Sequence, residues 1–410
     1  MKNYTNIFLS SAVMVLFDQV LFSGANFLIT IFLAKTLHPE NFGLFSSIVI
    51  VTFLALSVSN ALIIQPFQVS YSKTEAKHQY LSFLLIGQLV LLFLISLIIV
   101  IGCLVMNSIE NIRANMFFII LFIAGYLFQD FYRKLLLGLE KIKLVIWVDV
   151  LFILLVSIGF FYFQNAMNLK LSLGILGIAN MLSTLPAIFF SFKEFQFPTY
   201  SNNWFKMHCK QGQWLISVAF LQWSASNLFV LLSGIYLGVQ ALGAFRLVQS
   251  IFGIINIMLQ TVENYFIPKI SKLWNQNSIQ AKKYLLQLSF TGFLFFGLLL
   301  AFLFFNSKSI IVLFGGAQYE NYHFVIKMMT ILYVFIFLSY PIRIAVRVQV
   351  LNKIFFIGYA LSFISSIITF HYLLQHFALK GAIIGLVINQ IIMIGYWYFE
   401  LNRKKLALWK

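Results

Sequence analysis

The chain alternates between long apolar runs and short clusters of polar and charged residues. A membrane-spanning helix needs about 20 apolar residues to cross a hydrocarbon layer of ~30 Å. Runs of this length recur along the sequence, bounded by charged residues, Pro, Gly or Asn. They predict twelve transmembrane helices, over residues 8–33, 43–64, 80–106, 115–132, 144–166, 171–191, 213–236, 241–264, 284–305, 324–342, 353–375 and 379–400.

The twelve predicted helices form two sets of six, separated by a more polar stretch. This organisation indicates an N-terminal six-helix bundle over 1–195, a cytoplasmic linker over 196–212 and a C-terminal six-helix bundle over 213–410. Strands of a membrane barrel would alternate apolar and polar residues, whereas the run over 81–105 is apolar on every side. The predicted fold class is therefore an all-α polytopic membrane protein.

Composition and charge support a membrane protein and give its expected orientation. Of the 410 residues, 61% are apolar and 10% are charged, which leaves too little polar surface for a soluble domain. Of the 28 Lys and Arg residues, 21 lie on one side of the predicted helices and 6 on the other. Since basic residues accumulate in cytoplasmic loops, both termini are predicted to be cytoplasmic. The charge forms no continuous basic face, so nucleic-acid binding is not expected.

The two halves of the chain show an internal repeat. The first half reads Ser-Gly-Ala-Asn at 23–26 and Gly-Leu-Phe at 43–45, and the second half reads Ser-Ala-Ser-Asn at 224–227 and Gly-Ala-Phe at 243–245. Because each half contains an even number of helices, this repeat is parallel, an arrangement found in alternating-access transporters. Chance similarity between apolar helices is the alternative explanation.

Polar residues within the predicted membrane region suggest a central cleft. The first and seventh helices each carry a polar stripe, although small and polar residues also mediate ordinary packing between membrane helices. The candidate cavity residues are Asp18, Gln19, Asn26, Asn227 and Arg246. Asp18 is expected near the middle of the membrane and Arg246 about 9 Å deep. Since charges there are costly, either the two pair, or Arg246 meets an anionic substrate while Asp18 takes a proton or cation.

A second group of charged residues lies near the cytoplasmic ends of the helices. The candidates for binding a phosphate or pyrophosphate headgroup are Arg133, Lys134, Arg343 and Arg347. Arg343 and Arg347 are four residues apart, so they share one helix face and suit a phosphate group. Ordinary positive-inside anchoring explains the same residues without a ligand. A weak sequence echo also aligns Arg133 with Arg347.

The sequence contains no signature of catalysis. The phosphate-loop pattern GxxxxGK[ST] and the zinc pattern HExxH are both missing, and the six histidines lack the spacing of metal ligands. We therefore expect a protein that is not an enzyme and has neither a cofactor nor a bound metal. Transport would draw its energy from an H+ or Na+ gradient or from the gradient of the substrate itself.

Three features resemble a known family: the six-plus-six helices, the Asn-to-Gly-x-Phe register that opens each half, and the Gly-Leu-Glu-Lys turn at 138–141. The chain resembles the polysaccharide transporter branch of the multidrug/oligosaccharidyl-lipid/polysaccharide (MOP) exporter superfamily, and within it the O-antigen flippases. This resemblance implies translocation of an undecaprenyl-pyrophosphate-linked oligosaccharide from the cytoplasmic to the outer leaflet of a bacterial inner membrane. It also implies the membrane lipids, a polysaccharide polymerase and a chain-length regulator as partners.

Three alternatives remain open at the level of sequence. A cation-coupled multidrug exporter of the multidrug and toxic compound extrusion (MATE) type has a similar architecture but usually keeps acidic residues in its cavity. A lipid II flippase usually carries two further helices and several cavity arginines. A membrane-embedded O-acetyltransferase or ligase would need a His, Asp or Glu pair near one membrane face, and the sequence offers only scattered single residues.

Overall fold

The computed structural model describes residues 2–105, 113–193, 196–199 and 201–404, and this part of the chain is almost entirely helical. Its first half contains α1 (Lys2–Thr36), α2 (Pro39–Ser59), α3 (Gln65–Ser70), α4 (Lys77–Val105), α5 (Met116–Gly138), α6 (Ile142–Phe163), α7 (Leu169–Ser183) and α8 (Leu185–Lys193). A π-helical turn, Asn60–Ile64, joins α2 to α3. Its second half contains α9 (Ser201–Leu237), α10 (Val239–Gln276), α11 (Ser278–Phe305), α12 (Ser307–Gly315), α13 (His323–Val348) and α14 (Asn352–Arg403).

The helices confirm the predicted fold class of an all-α polytopic membrane protein. Within the described residues, eleven helical stretches are long and apolar enough to cross a membrane. The last of them, α14, has 52 residues and would be about 78 Å long if it were straight, more than twice the thickness of the hydrocarbon layer. It bends instead at Ala378, whose φ of 49° and ψ of −134° are not helical. A Cβ at Gly381 would lie 1.9 Å from the Leu373 carbonyl oxygen, so the two arms meet closely at this bend.

The chain forms two compact units. The first unit comprises the residues up to Asn41 together with Ile48–Phe220, and the second comprises Phe42–Ser47 together with the residues from Leu221 onward. The sequence predicts a linker over 196–212, whereas in the structure α9 begins at Ser201 and continues through the rest of that stretch. The first part of α9 therefore belongs to the first unit.

A buried histidine anchors this first part of α9. The Nδ1 of His208 lies 2.8 Å from the Leu62 carbonyl oxygen, and its Nε2 lies 2.8 Å from the Tyr80 hydroxyl. Because a carbonyl oxygen only accepts hydrogen bonds, Nδ1 carries the ring proton and Nε2 accepts from the hydroxyl. His208 thus joins α9 to the π-helical turn and to α4.

Close helix packing within each unit depends on small residues, as is usual where lipid provides no hydrophobic driving force between helices. In the first unit, a Cβ at Gly125 of α5 would lie 2.6 Å from the carbonyl oxygen of Gly177 on α7. In the second unit, Gly358 lies against Trp397 within α14, and the indole Nε1 donates a hydrogen bond of 3.1 Å to the Ile354 carbonyl. These glycines let neighbouring helices approach closely.

The same tight turn ends α5 and α13, which supports the internal repeat. Each turn contains a residue with positive φ, Glu140 at 58° and Val350 at 54°. In both, this residue donates its N–H to the carbonyl three positions earlier, and the next residue donates to the carbonyl five positions earlier. Glu140 and Val350 are 210 residues apart, and the same offset aligns Arg133 with Arg343. The sequence aligns Arg133 with Arg347 instead, so the structure shifts this alignment by four residues, about one helical turn.

The turn after α13 is strained at Val350. A β-branched side chain is strongly disfavoured at positive φ, at a cost of about 1–2 kcal/mol. The side chain is 71% exposed, so it makes little packing that would be lost on replacement. We expect Val350→Gly to raise the free energy of unfolding by about 1 kcal/mol, measured as a higher thermal midpoint of the purified protein in detergent.

The matched control is Val90→Gly, which makes the same substitution at an exposed position inside α4. Its backbone is helical, so glycine there should lower stability by about 1 kcal/mol. A Val350→Gly protein that melts below the wild type would contradict the assignment of strain to this turn.

Candidate functional site

Three charged side chains inside the first unit form a buried ion-pair triad, defined by Asp18 on α1, Arg133 on α5 and Asp149 on α6. The Arg133 Nη2 lies 2.9 Å from Asp18 Oδ2, and its Nε lies 2.8 Å from Asp149 Oδ1. None of the three side chains is more than 6% exposed. The Phe22 ring covers the guanidinium, with 3.7 Å between the ring centroid and Cζ.

The triad contains two carboxylates and one guanidinium, so its net charge is −1 when all three groups are ionised. The two carboxylates also lie close enough to repel each other. Asp18 Oδ1 and Asp149 Oδ2 receive no hydrogen bond from any described residue. An unbalanced buried charge is costly in a low-dielectric region. The arrangement therefore suits one additional proton or one monovalent cation.

The triad lies close to the turn that joins α5 to α6. Arg133 is five residues before the end of α5 and Asp149 is seven residues after the start of α6, which places the triad about 8–10 Å from the turn between them. From the sequence, Asp18 is expected near the membrane centre; the structure places it at the level of Arg133, close to the end of α5.

Because Arg133 belongs to the triad, it no longer fits the predicted group of headgroup-binding residues. The sequence assigns Arg133 to headgroup binding, but the structure buries it between two carboxylates, where a lipid headgroup has no access. The neighbouring Lys134 is 30% exposed; its Nζ lies 2.8 Å from Asp130 Oδ2 and 2.9 Å from Asn60 Oδ1. Asp149 is not one of the site residues predicted from the sequence. The sequence feature that indicates it is its carboxylate within the predicted helix 144–166, because an ionisable group inside the membrane needs a partner.

A second charged cluster lies in the second unit and consists of Glu263 on α10 with Arg343 and Arg347 on α13. The Arg343 Nε lies 3.5 Å from Glu263 Oε1, and Arg347 Nη1 contacts the same oxygen. The Glu263 side chain is 4% exposed, whereas those of Arg343 and Arg347 are 32% and 44% exposed. The single carboxylate therefore balances only one of the two guanidinium charges. The cluster has a net charge of +1 and is open enough to receive an anion.

The two clusters occupy equivalent places in the repeat but have opposite net charges. Arg133 and Arg343 are related by the 210-residue offset of their turns. Two aspartates surround Arg133, whereas a second arginine accompanies Arg343. The first cluster thus favours a cation or proton, and the second favours an anion.

All three uncharged cavity candidates form hydrogen bonds within their own helices. Asn26 Nδ2 donates to the Phe22 carbonyl at 2.9 Å, and Asn227 Nδ2 donates to the Trp223 carbonyl at 3.1 Å. These two hydrogen bonds join equivalent positions of the internal repeat. Gln19, which is exposed, donates from Nε2 to a serine hydroxyl one turn later on α1 at 3.2 Å. All three residues remain candidates for a polar lining.

Arg246 belongs to a short series of polar contacts that reaches α9. Its Nη1 donates to Gln249 Oε1 at 3.2 Å, and Gln249 Nε2 lies 3.5 Å from the carbonyl oxygen of Ser226 on α9. Ser226 directly precedes Asn227, so these contacts link two of the candidates that the sequence selected. The carboxylate of Asp18 pairs with Arg133.

Comparisons with known proteins identify the fold. No protein-family model and no curated protein sequence matches the chain. An inward-facing MATE-family transporter of the MOP superfamily superposes with a TM-score of 0.74 at 14% identity, covering 95% of each chain. The lipid II flippase MurJ, in an inward closed conformation, superposes with a TM-score of 0.72 at 16% identity. The match covers 96% of this chain and 87% of MurJ. A MOP superfamily transporter from Pyrococcus furiosus superposes with a TM-score of 0.58 at 13% identity, covering 98% of this chain and 94% of the other. The chain is thus a multi-pass membrane protein with the fold of the MATE and MurJ transporters.

Proposed function

We propose that this protein is a flippase that moves an undecaprenyl-pyrophosphate-linked oligosaccharide, an O-antigen unit or a related surface polysaccharide unit, between membrane leaflets. Transport runs from the cytoplasmic to the outer leaflet of a bacterial inner membrane by alternating access, with both termini in the cytoplasm. The observation that carries the proposal is the net positive, partly exposed cluster of Glu263, Arg343 and Arg347. The similarity in fold to a lipid II flippase supports it.

The chemistry of the cluster fits a pyrophosphate headgroup. A guanidinium presents a planar fork of N–H donors that matches phosphate oxygens, and such charge-assisted hydrogen bonds are among the strongest in proteins. Arg343 and Arg347 are partly exposed and share a single carboxylate, so they retain donors for a ligand. A headgroup entering from the cytoplasmic leaflet would meet both arginines.

The buried triad is the proposed coupling site for H+ or Na+. Its net charge of −1 is balanced when one proton or one monovalent cation binds. Uptake and release of that charge would change the electrostatic energy of the first unit during a transport cycle. Cation binding at the triad is therefore the proposed step that couples transport to an H+ or Na+ gradient.

Asp18→Asn tests this coupling role. The amide removes one negative charge, so Arg133 and Asp149 are left as a balanced pair that no longer requires a cation. We expect normal expression, together with transport that is strongly reduced and insensitive to an imposed H+ or Na+ gradient, measured in proteoliposomes.

The matched control for Asp18→Asn is Asp130→Asn, which makes the same change at a buried aspartate whose partner, Lys134, is partly exposed. It should keep the dependence of transport on the gradient. Full, gradient-dependent transport by the Asp18→Asn protein would remove Asp18 from the coupling mechanism.

A cation-coupled multidrug exporter of the MATE type is the second candidate. The negative triad and the superposition on a MATE-family transporter favour it. The positive cluster on α13 argues for an anionic cargo instead. Neighbouring genes for glycosyltransferases and nucleotide-sugar enzymes would favour the flippase.

Deletion of the gene tests the proposed function in the cell. A flippase predicts loss of the surface polysaccharide and accumulation of the lipid-linked precursor on the cytoplasmic leaflet, upstream of the proposed polymerase and chain-length regulator partners. Normal surface polysaccharide in the deletion strain, together with increased sensitivity to cationic drugs, would instead establish the exporter.

A further inference from the structure

An apolar groove runs along the surface of the second unit between α11 and α13, with a volume of about 320 Å³. Gly297 and Ala301 of α11 and Thr330 of α13 line it together with larger residues, among them the rings of Phe293, Phe304 and Phe337. The lining is almost entirely apolar, so a hydrocarbon chain suits it better than a polar solute.

The groove is open at the exposed surface of α11 and owes its depth to a glycine. A Cβ placed on Gly297 would have no atom within 4 Å, so this position borders open space. Phe293 and Phe305, on the same helix, are 51% and 81% exposed. Since an empty groove leaves its walls without dispersion contacts, a chain from the surrounding membrane is favoured to fill it.

A lysine marks one end of the groove. The ammonium of Lys327 lies 5.5 Å from the centroid of the Phe304 ring. Lys327 is four residues from the start of α13, and Phe304 is next to the last residue of α11. This end therefore lies near the membrane–water interface, where a lysine can reach lipid phosphates.

The length of the groove matches a single leaflet. From Phe293 to Phe305 the helix rises about 18 Å, which is slightly more than half of a ~30 Å hydrocarbon layer. Thr330 and Ile331 lie one turn from Lys327 and also line the groove. One site thus combines a cationic end with an apolar channel about as long as an acyl chain.

We propose that this groove is a binding site for one anionic phospholipid, with an acyl chain between α11 and α13 and the headgroup phosphate at Lys327. Charge complementarity argues for an anionic lipid, because a zwitterionic headgroup adds a positive charge beside the lysine. The proposal is independent of the transported substrate, since it concerns a resident lipid on the outer surface of the second unit.

Native mass spectrometry of the delipidated protein tests the proposal, with added phosphatidylglycerol or phosphatidylethanolamine as probes. The wild type should retain one phosphatidylglycerol in preference to phosphatidylethanolamine. Gly297→Leu fills the groove without a backbone clash and should abolish this binding. Lys327→Ala should weaken phosphatidylglycerol binding about fivefold and remove the preference.

Gly87→Leu is the matched control, because Gly87 on α4 also has no atom within 4 Å of its Cβ position but lies in the first unit. It should bind phosphatidylglycerol like the wild type, and the thermal midpoints of all variants establish that they are folded. Unchanged binding by Gly297→Leu, or equal binding of both lipids by the wild type, would overturn the proposal. Displacement of phosphatidylglycerol by undecaprenyl phosphate would overturn it too, by making the groove a substrate site.

Discussion

Replacing Arg133 with leucine is expected to lower the free energy of unfolding by about 3–5 kcal/mol, the largest stability loss that we predict for any single substitution in this chain. The guanidinium is the shared partner of Asp18 and Asp149, and all three side chains are buried. Without it, two carboxylates are left facing each other in a region of low dielectric. The measurement is the thermal or denaturant midpoint of the purified protein.

Two further variants separate the charge effect from the loss of side-chain volume. Arg403→Leu makes the same change in an ion pair whose arginine is 62% exposed and should cost less than about 1 kcal/mol. The triple variant Asp18→Asn, Arg133→Leu, Asp149→Asn removes every charge of the triad and should recover much of the stability. A single Arg133→Leu protein as stable as the wild type would show that the triad does not hold the first unit together.

Replacing Arg343 and Arg347 together with alanine is expected to reduce transport about 100-fold or more. Each charge-assisted hydrogen bond to a phosphate contributes about 1.5–3 kcal/mol, so loss of two amounts to at least this factor. Membrane insertion should remain normal, because the arginines are partly exposed and other basic residues maintain the orientation. The measurement is the rate of lipid-linked oligosaccharide transport, normalised to protein in the membrane.

The double variant leaves Glu263 buried without its partners, so a second protein is needed. Adding Glu263→Gln removes that charge, and transport should stay absent while stability recovers. Arg403→Ala is the control for an exposed arginine near the end of α14 and should transport normally. Wild-type transport by the Arg343→Ala, Arg347→Ala protein would exclude the cluster as the headgroup site.

The sequence predicts the membrane helices well because each depends on a local property, a run of apolar residues long enough to cross the bilayer. The bend of α14 at Ala378 also falls between two predicted helices, 353–375 and 379–400. The common face of Arg343 and Arg347 is likewise local, since residues four apart on a helix are neighbours.

The triad was not predictable in the same way because its partners come from three helices. Asp18 and Arg133 are separated by 115 residues, and periodicity on one helix does not reveal which residue faces it across the bundle. The alignment of Arg133 with Arg343 required the hydrogen bonds of the two turns.

The most direct test is transport by the purified protein in proteoliposomes, with a fluorescent undecaprenyl-pyrophosphate-linked oligosaccharide in the inner leaflet and an imposed H+ or Na+ gradient. The proposed function predicts that the wild type moves the lipid to the outer leaflet, that Arg343→Ala with Arg347→Ala stops this movement, and that Asp18→Asn removes its response to the gradient. A wild-type protein that leaves the lipid in place under both gradients while it exports a cationic drug would contradict the proposal.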